Sequence, residues 1–435
     1  MQAIIVAGGA PAGGMPGGSA SDAAVAALLR PVADEPVLLH QVGALARMGI
    51  GRVGLLAPEP AEAVRLVATV ADRARTLGLV IEPVPASGQT PADGAILVVD
   101  GPVLFDVALG PVRDTHSAHA AALTAVVQPV ARPRDSDLVA ERDCRLVAVF
   151  PHDRPDPQDQ RNLASSGLWL ARPDLVDRLR LPGHRPDLLR DVVPALLAAG
   201  ETIACHPTTE YIRRLDGPAD VAAAEADLAA GRPEALRCEH PRPALLVDVD
   251  GVLNHDPGPQ GTLSPDDLVM VDGAGAALAR ARAAGFLVVA ITNRAQVARG
   301  TVSLDQLDRI LGRLEARLAE DGGLLDRIYV CPHHPGPLPD GVPELTIRCD
   351  CRKPGTLLFR RALTELPIDP ARAWMIGDSG RDMAAAHAMG LRAYGVATGH
   401  GCRGTGKIAG DVPDRMFADI GAAVDFVLAE DAARR

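Results

Sequence analysis

The sequence predicts an α/β protein of two domains, and three observations lead there. Residues 1–230 alternate strand-like and helix-like runs, and residues 244–430 repeat a short apolar run that ends in polar chemistry. Between them, residues 231–243 read GRPEALRCEHPRP, prolines and charges without apolar periodicity, as a linker would. A chain of 435 residues also exceeds one ordinary core.

In the first domain, strands are predicted at 3–6, 53–56 and 95–99 and helices at 37–48 and 60–77. Such alternation builds a mainly parallel sheet. The first strand runs into Ala7-Gly8-Gly9 and a loop of Gly, Ala, Ser and Pro reaching Ser21. A glycine loop there suits either a nucleotide phosphate or a plain turn.

The second domain opens with ALLVDVDGVLN, residues 244–254. Leu245, Leu246 and Val247 predict a buried strand of a parallel sheet, whose ligands sit beyond its carboxyl end. Asp248 and Asp250 then stand at the strand tip, two positions apart and on one side. Two carboxylates crowded together repel, which suits a divalent cation or phosphate chemistry; an acidic turn is the plain alternative. Three later stretches follow the same plan. The run 287–291 ends in Thr292-Asn293, a hydroxyl and an amide suited to phosphate oxygens. Lys353 offers a compact cation for a phosphoryl group. The run 374–376 ends in Gly377-Asp378 and leads to Asp382, adding carboxylates for a metal. Helices are predicted at 273–285 and 305–321; in the second, Leu307, Ile310, Leu311, Leu314 and Leu318 recur at helical spacing.

Cys331, His333, Cys349 and Cys351 form two pairs, C-x-H and C-x-C. Zinc takes such a tetrahedral set, and four protein ligands make a closed, structural site. His334 is the competing ligand, and a reduced cysteine pair or a disulfide is the alternative. A metal here would tie down a proline-rich loop that has few apolar residues to pack itself.

Composition narrows the partners. A net charge of -11 with 3% aromatics argues against a nucleic-acid surface. No unbroken apolar segment is long enough for a membrane, and the start lacks a cationic region followed by a long apolar core. Seven cysteines, an odd number, do not make a secreted disulfide framework, so a cytoplasmic protein is expected.

The order DxDG, TN, K, GDxxxD resembles the haloacid-dehalogenase (HAD) phosphatase superfamily. CPHHP…CDCRKPG, with DVDGVLN and VARG, narrows the likeness to the D-glycero-D-manno-heptose 1,7-bisphosphate 7-phosphatases, near relatives of the histidinol-phosphate phosphatases. The resemblance implies a Rossmannoid domain with a minimal cap and a zinc loop, hydrolysing a small sugar phosphate through an aspartyl phosphate. Asp248 would be the nucleophile and Asp250 the acid and base; Mg2+ would be held by Asp248, the Asp250 carbonyl and Asp378. Thr292 and Lys353 would bind the transferring oxygens, with Asn293, Arg294, Arg299 and Arg352 facing the substrate. Asp382 would position Lys353 or cap a helix. Two departures bear on substrate identity: Arg294 where the family carries glutamine, and Pro259 near an expected tyrosine.

Residues 1–230, through AIIVAGG, RNLASSGLWL and EYIRRLDGPADVAAAEADL among other stretches, resemble the sugar-phosphate nucleotidyltransferases and imply a Rossmann-like mixed sheet. The departures fall where transfer chemistry needs charge. Residues 9–15 carry no basic residue, and none precedes Arg30, which could replace the family lysine. Pro102 and Arg214 occupy the two positions of the metal aspartates, with Asp100 and Asp216 as neighbours. Proline cannot ligate magnesium, and arginine puts positive charge where the cation belongs. The reading is a retained scaffold without transfer chemistry; a bifunctional enzyme and a non-catalytic partner protein are the alternatives.

Overall fold

The computed structural model describes residues 1–7, 20–84, 94–153, 159–179 and 187–434. The glycine loop after the first strand lies outside the described residues. The chain divides into two compact units. One comprises residues 1–128, 139–151 and 164–238; the other comprises 129–138, 152–163 and 239–435.

The first unit is built on a nine-stranded mixed sheet. Gln2–Val6 pairs in parallel with Arg52–Leu56 on one side and with Ile96–Asp100 on the other. Ala164–Ala171 then runs antiparallel to Ile96–Asp100 and to Leu123–Gln128. The sheet is therefore mixed where alternation alone pointed to a mainly parallel one. The predicted helices form at Val37–Arg47 and Pro60–Thr76. Leu38, Val42 and Leu45 from the first, with Leu66 and Val70 from the second, bury against Ile5, Val53 and Val99 of the sheet. Val103–Asp106 and Tyr211–Arg214 form a separate antiparallel pair, with Val103 opposite Arg214.

Among the described residues, the second unit holds a sheet of six strands in which every pairing is parallel. Their spatial order is Arg327–Cys331, Leu287–Asn293, Arg242–Val247, Ile368–Gly377, Arg392–Val396, Arg415–Phe417. In chain order that is 3-2-1-4-5-6, the doubly wound arrangement, which binds ligands where the order reverses. The three central strands are apolar on both faces because helices cover both. Leu245 and Val247 join one core with Val288, Ala290, Trp374 and the helices Ala274–Ala283 and Leu304–Glu320. Ala244 and Leu246 join the opposite core with Val289, Met375 and Phe359.

The Leu304–Glu320 helix starts on a capping box, Ser303 with Gln306. Its face is wider than the leucine stripe, because segments from the first half of the chain belong to this unit. Glu315, 4% exposed, accepts from Arg161 Nε at 3.0 Å and from Asn162 N at 2.7 Å. Arg313 Nε donates to Asp159 at 2.7 Å. A Cβ on Gly312 would stand 2.3 Å from Gln160 O, so only glycine fits this contact. The expected linker also differs: Arg232–Ala235 is a short helix, and the central strand begins at Arg242.

Candidate active site and metal centre

Three strands deliver the functional groups to one edge. Asp248 follows Arg242–Val247, Thr292 is the penultimate residue of Leu287–Asn293, and Asp378 follows Ile368–Gly377. The strands are in register, Val247 beside Ala290 and Ile376, so their tips open together. They floor a cavity of about 380 Å3.

Lys353 reaches this floor from the CRKP loop and is 2% exposed. A buried ammonium is tolerated only when its donors are used. Lys353 Nζ donates to Ile291 O at 2.6 Å and stands 2.8 Å from Asp248 Oδ1 and 2.6 Å from Asp382 Oδ1. Asn293 fixes the same loop: its Oδ1 accepts Lys353 N at 3.1 Å and its Nδ2 donates to Lys353 O at 3.2 Å. Asn293 therefore lines the cavity but spends its amide on the lysine backbone. Asp382 does both things open to it. One oxygen pairs with Lys353, and the other accepts from Ser379 N and Ser379 Oγ at 3.1 and 2.6 Å, capping the Gly380–Ala388 helix.

Burial pushes the Asp248 carboxyl up to about 7; Lys353 opposes the rise, and the charges of Asp382 and Asp378 add to it. Asp378 is also pushed up by burial, against the hydrogen bond from His400 N at 2.7 Å. Asp382 ends below the usual range, because Lys353 outweighs its desolvation. Asp248, Asp378 and Asp382 present oxygens within 4.8 Å of one another; with Asp382 committed to Lys353 and Ser379, Asp248 and Asp378 are the hard donors left for a cation such as Mg2+. Only glycine fits beside Asp378 here: a Cβ on Gly251, at φ +83°, would lie 2.3 Å from Asp378 Oδ2.

Asp250 lines the cavity, and both its oxygens are held. Arg294 Nη1 donates to Oδ2 at 2.8 Å and Asn254 Nδ2 to Oδ1 at 3.0 Å. Arg294, expected with the substrate, is absent from the cavity wall and fully buried behind Asp250. Arg299 and Arg352 do line the wall; Arg299 Nη1 donates to Pro259 O at 3.0 Å and Arg352 Nη1 to His333 O at 3.2 Å. Burial, helped by Arg381, holds the Arg352 guanidinium below its ordinary value. Sequence reasoning missed Asp256, Gln296, Arg381 and His400, which also line the cavity.

The C-x-H and C-x-C pairs lie together. Cys331, His333, Cys349 and Cys351 place their ligand atoms within 4.8 Å of one another. Five of their six separations run from 3.1 Å (His333 Nδ1 to Cys351 Sγ) to 3.7 Å (Cys331 Sγ to Cys349 Sγ). A zinc tetrahedron with ordinary bond lengths has ligand–ligand edges of roughly 3.5–3.8 Å, so the group fits zinc with little adjustment. Burial raises the Cys331 and Cys351 thiols, while hydrogen bonds from Cys351 and the Arg352 backbone bring Cys349 below its ordinary value despite burial. His334 has another partner, with Nδ1 3.1 Å from Gly336 O.

In the first unit, Arg214 lies beside Gly167 and Asp100. A Cβ on Gly167 would meet Arg214 Nη1 at 2.8 Å and Asp100 O at 3.0 Å. Arg214 Nε stands 3.6 Å from Asp216. No helix among the described residues is long and apolar enough to cross a membrane.

Comparison with known proteins agrees with the second unit. A HAD-hydrolase-like family model matches residues 350–423. The D-glycero-beta-D-manno-heptose-1,7-bisphosphate 7-phosphatase of Haemophilus ducreyi is 36% identical over 179 residues, 41% of this chain and 95% of the relative. A crystal structure of the D,D-heptose 1,7-bisphosphate phosphatase from B. bronchiseptica, with magnesium and phosphate, is 32% identical; it covers 43% of this chain and 99% of its own, at a TM-score of 0.38. A proposed glucose-1-phosphate thymidylyltransferase from Bacillus anthracis is 14% identical and covers 52% of this chain and 94% of its own, at a TM-score of 0.40.

Proposed function

This chain belongs to the heptose-1,7-bisphosphate 7-phosphatase family of phosphoric monoester hydrolases, and from that premise we propose that it removes one phosphate from a sugar bisphosphate, D-glycero-D-manno-heptose 1,7-bisphosphate, leaving the 1-phosphate. The observation that carries the reading is the floor of the cavity, where Lys353 holds Asp248 at 2.8 Å among carboxylates fit for a cation.

The residues divide the work. Asp248 attacks phosphorus, forming an aspartyl phosphate as the bond to the sugar oxygen breaks. The leaving oxygen takes its proton from Asp250, which then accepts a proton from the attacking water. Thr292 and the Lys353 ammonium hold the transferring oxygens as their charge shifts. Arg299 and Arg352, on the wall, meet the phosphate that stays. Mg2+ held by Asp248, the Asp250 carbonyl and Asp378 would offset repulsion between the anionic nucleophile and the anionic ester. Zinc on Cys331, His333, Cys349 and Cys351 would fix the loop that carries Arg352 and Lys353.

The first unit is read as a nucleotidyltransferase-like scaffold. Support comes from Pro102 and from the Arg214 guanidinium beside Gly167, where a cation would be needed. Phosphate release with Mg2+ tests the main reading, comparing heptose 1,7-bisphosphate, histidinol phosphate and hexose phosphates. The heptose bisphosphate should have the highest kcat/KM; a preference for histidinol phosphate would move the chain to the sister activity.

A further inference from the structure

Arg294 is a charged side chain with no solvent exposure, a placement such residues almost never take unless paired. Its side chain has one partner. Nη1 donates to Asp250 Oδ2 at 2.8 Å, while Nε and Nη2 meet no hydrogen-bond partner among the described residues. Burying two donors without partners costs stability, and no brace to another element offsets it. The backbone of Arg294 is fixed independently, its N–H donating to Cys331 O at 2.7 Å. The arginine is thus delivered to Asp250 by a loop leaving the Leu287–Asn293 strand.

Asp250 is met from a second direction. Asn254, 1% exposed, donates Nδ2 to Oδ1 at 3.0 Å. One donor on each oxygen, from two separate loops, fixes the plane of the carboxyl group. Asp250 still lines the cavity, so the group is held where a substrate atom can reach it.

We propose that Arg294 is a positioning residue for proton transfer by Asp250, holding its carboxyl group in the orientation that meets the leaving oxygen. The inference rests on the phosphatase reading above. In the first step the Asp248 oxygen bonds to phosphorus, and the phosphorus–oxygen bond to the leaving group breaks. The electron pair goes to the leaving oxygen, and the proton on Asp250 moves to it. Transfer is fast only if the carboxyl oxygen already points at the leaving oxygen, and the two donors on Asp250 set that direction. In the second step water bonds to phosphorus, the Asp248–phosphorus bond breaks, and the water proton returns to Asp250. The benefit therefore scales with how much the leaving oxygen needs a proton: a sugar alkoxide needs one, whereas a nitrophenolate departs without it.

The test reads that difference. Values of kcat/KM are measured for Arg294→Met, which removes the donor, and the unsubstituted protein on the sugar bisphosphate and on 4-nitrophenyl phosphate. The sugar-to-aryl ratio should fall on the order of 10- to 100-fold in R294M, within the contribution of general acid catalysis. Arg294→Lys, which keeps a donor but not the fork, should recover part of the ratio. Equal loss on both substrates, or loss on neither, overturns the proposal. Should R294M fail to show a cooperative thermal transition, the ratio is read on R294K, where an unchanged ratio overturns it and a fall of several-fold supports it. If the unsubstituted protein ignores the heptose bisphosphate but hydrolyses another alkyl phosphate, the substrate reading fails and the ratio is measured on that ester. No turnover of any phosphate ester overturns both.

Discussion

The Lys353 ammonium stands 2.6 Å from Asp382 Oδ1, with Lys353 2% exposed and Asp382 fully buried. Lys353 Nζ also stands 2.8 Å from Asp248, so the proposed nucleophile and Asp382 are coupled through one ammonium. Removing one partner of a buried pair leaves an uncompensated charge and costs about 3–5 kcal/mol. Asp382→Asn should therefore lower unfolding stability by roughly 3 kcal/mol in urea titration, discounted at the low end because Asp248 and Ile291 O still meet the ammonium. A loss within experimental error would show that the pair contributes nothing net.

Asp248 without a metal has its pKa near 7, raised by burial against the opposing Lys353. A metal needs the carboxylate, so below that pH it must displace a proton. Mg2+ affinity should fall about tenfold per pH unit below 7 and level off above it. Calorimetric titration across pH 5.5–8.5, a window of roughly 1.5 units either side of that value, reads the slope. An affinity that is flat throughout would remove Asp248 from the set of titrating ligands.

Zinc should be present at about one per chain, and Cys349→Ala with Cys351→Ala should lose it. Metal analysis by mass spectrometry reads the content, and the melting temperature should drop together with it. Undiminished zinc in the double variant would contradict the assignment.

Glu315 accepts three donors: Arg161 Nε, Arg161 Nη2 and Asn162 N. Glu315→Ala strips them of their partner, which should cost about 1–3 kcal/mol. The fragment 239–435 lacks both early segments of its own unit, so it should melt below the full chain and show no further loss from E315A. A fragment as stable as the parent unit would show those segments to be passengers.

Much of the second unit was legible because its signals are local. Each apolar run forms a strand that ends at or just before a polar residue, and parallel pairing brings the tips of 242–247, 287–293 and 368–377 to one edge. The cysteine pairs were legible for the same reason, since each pair spans three residues. What escaped is set by loops and long-range packing. Arg294 looks from sequence like a wall residue, and only the turn after Asn293 sends it behind Asp250. His400 and Arg381 reach the cavity from loop and helix starts that carry no periodicity. Nothing near Arg161 signals that it belongs with Glu315, 154 residues away.

The proposed function makes Asp248 the nucleophile in hydrolysis of a sugar bisphosphate. Asp248→Asn keeps the shape and removes the attacking charge. The most direct measurement is phosphate release from heptose 1,7-bisphosphate by the unsubstituted and D248N proteins, each checked for a cooperative melt. The prediction is steady Mg2+-dependent release by the first and background release by the second. A D248N protein that kept more than about a tenth of the rate, far above the loss expected for a missing nucleophile, would contradict it.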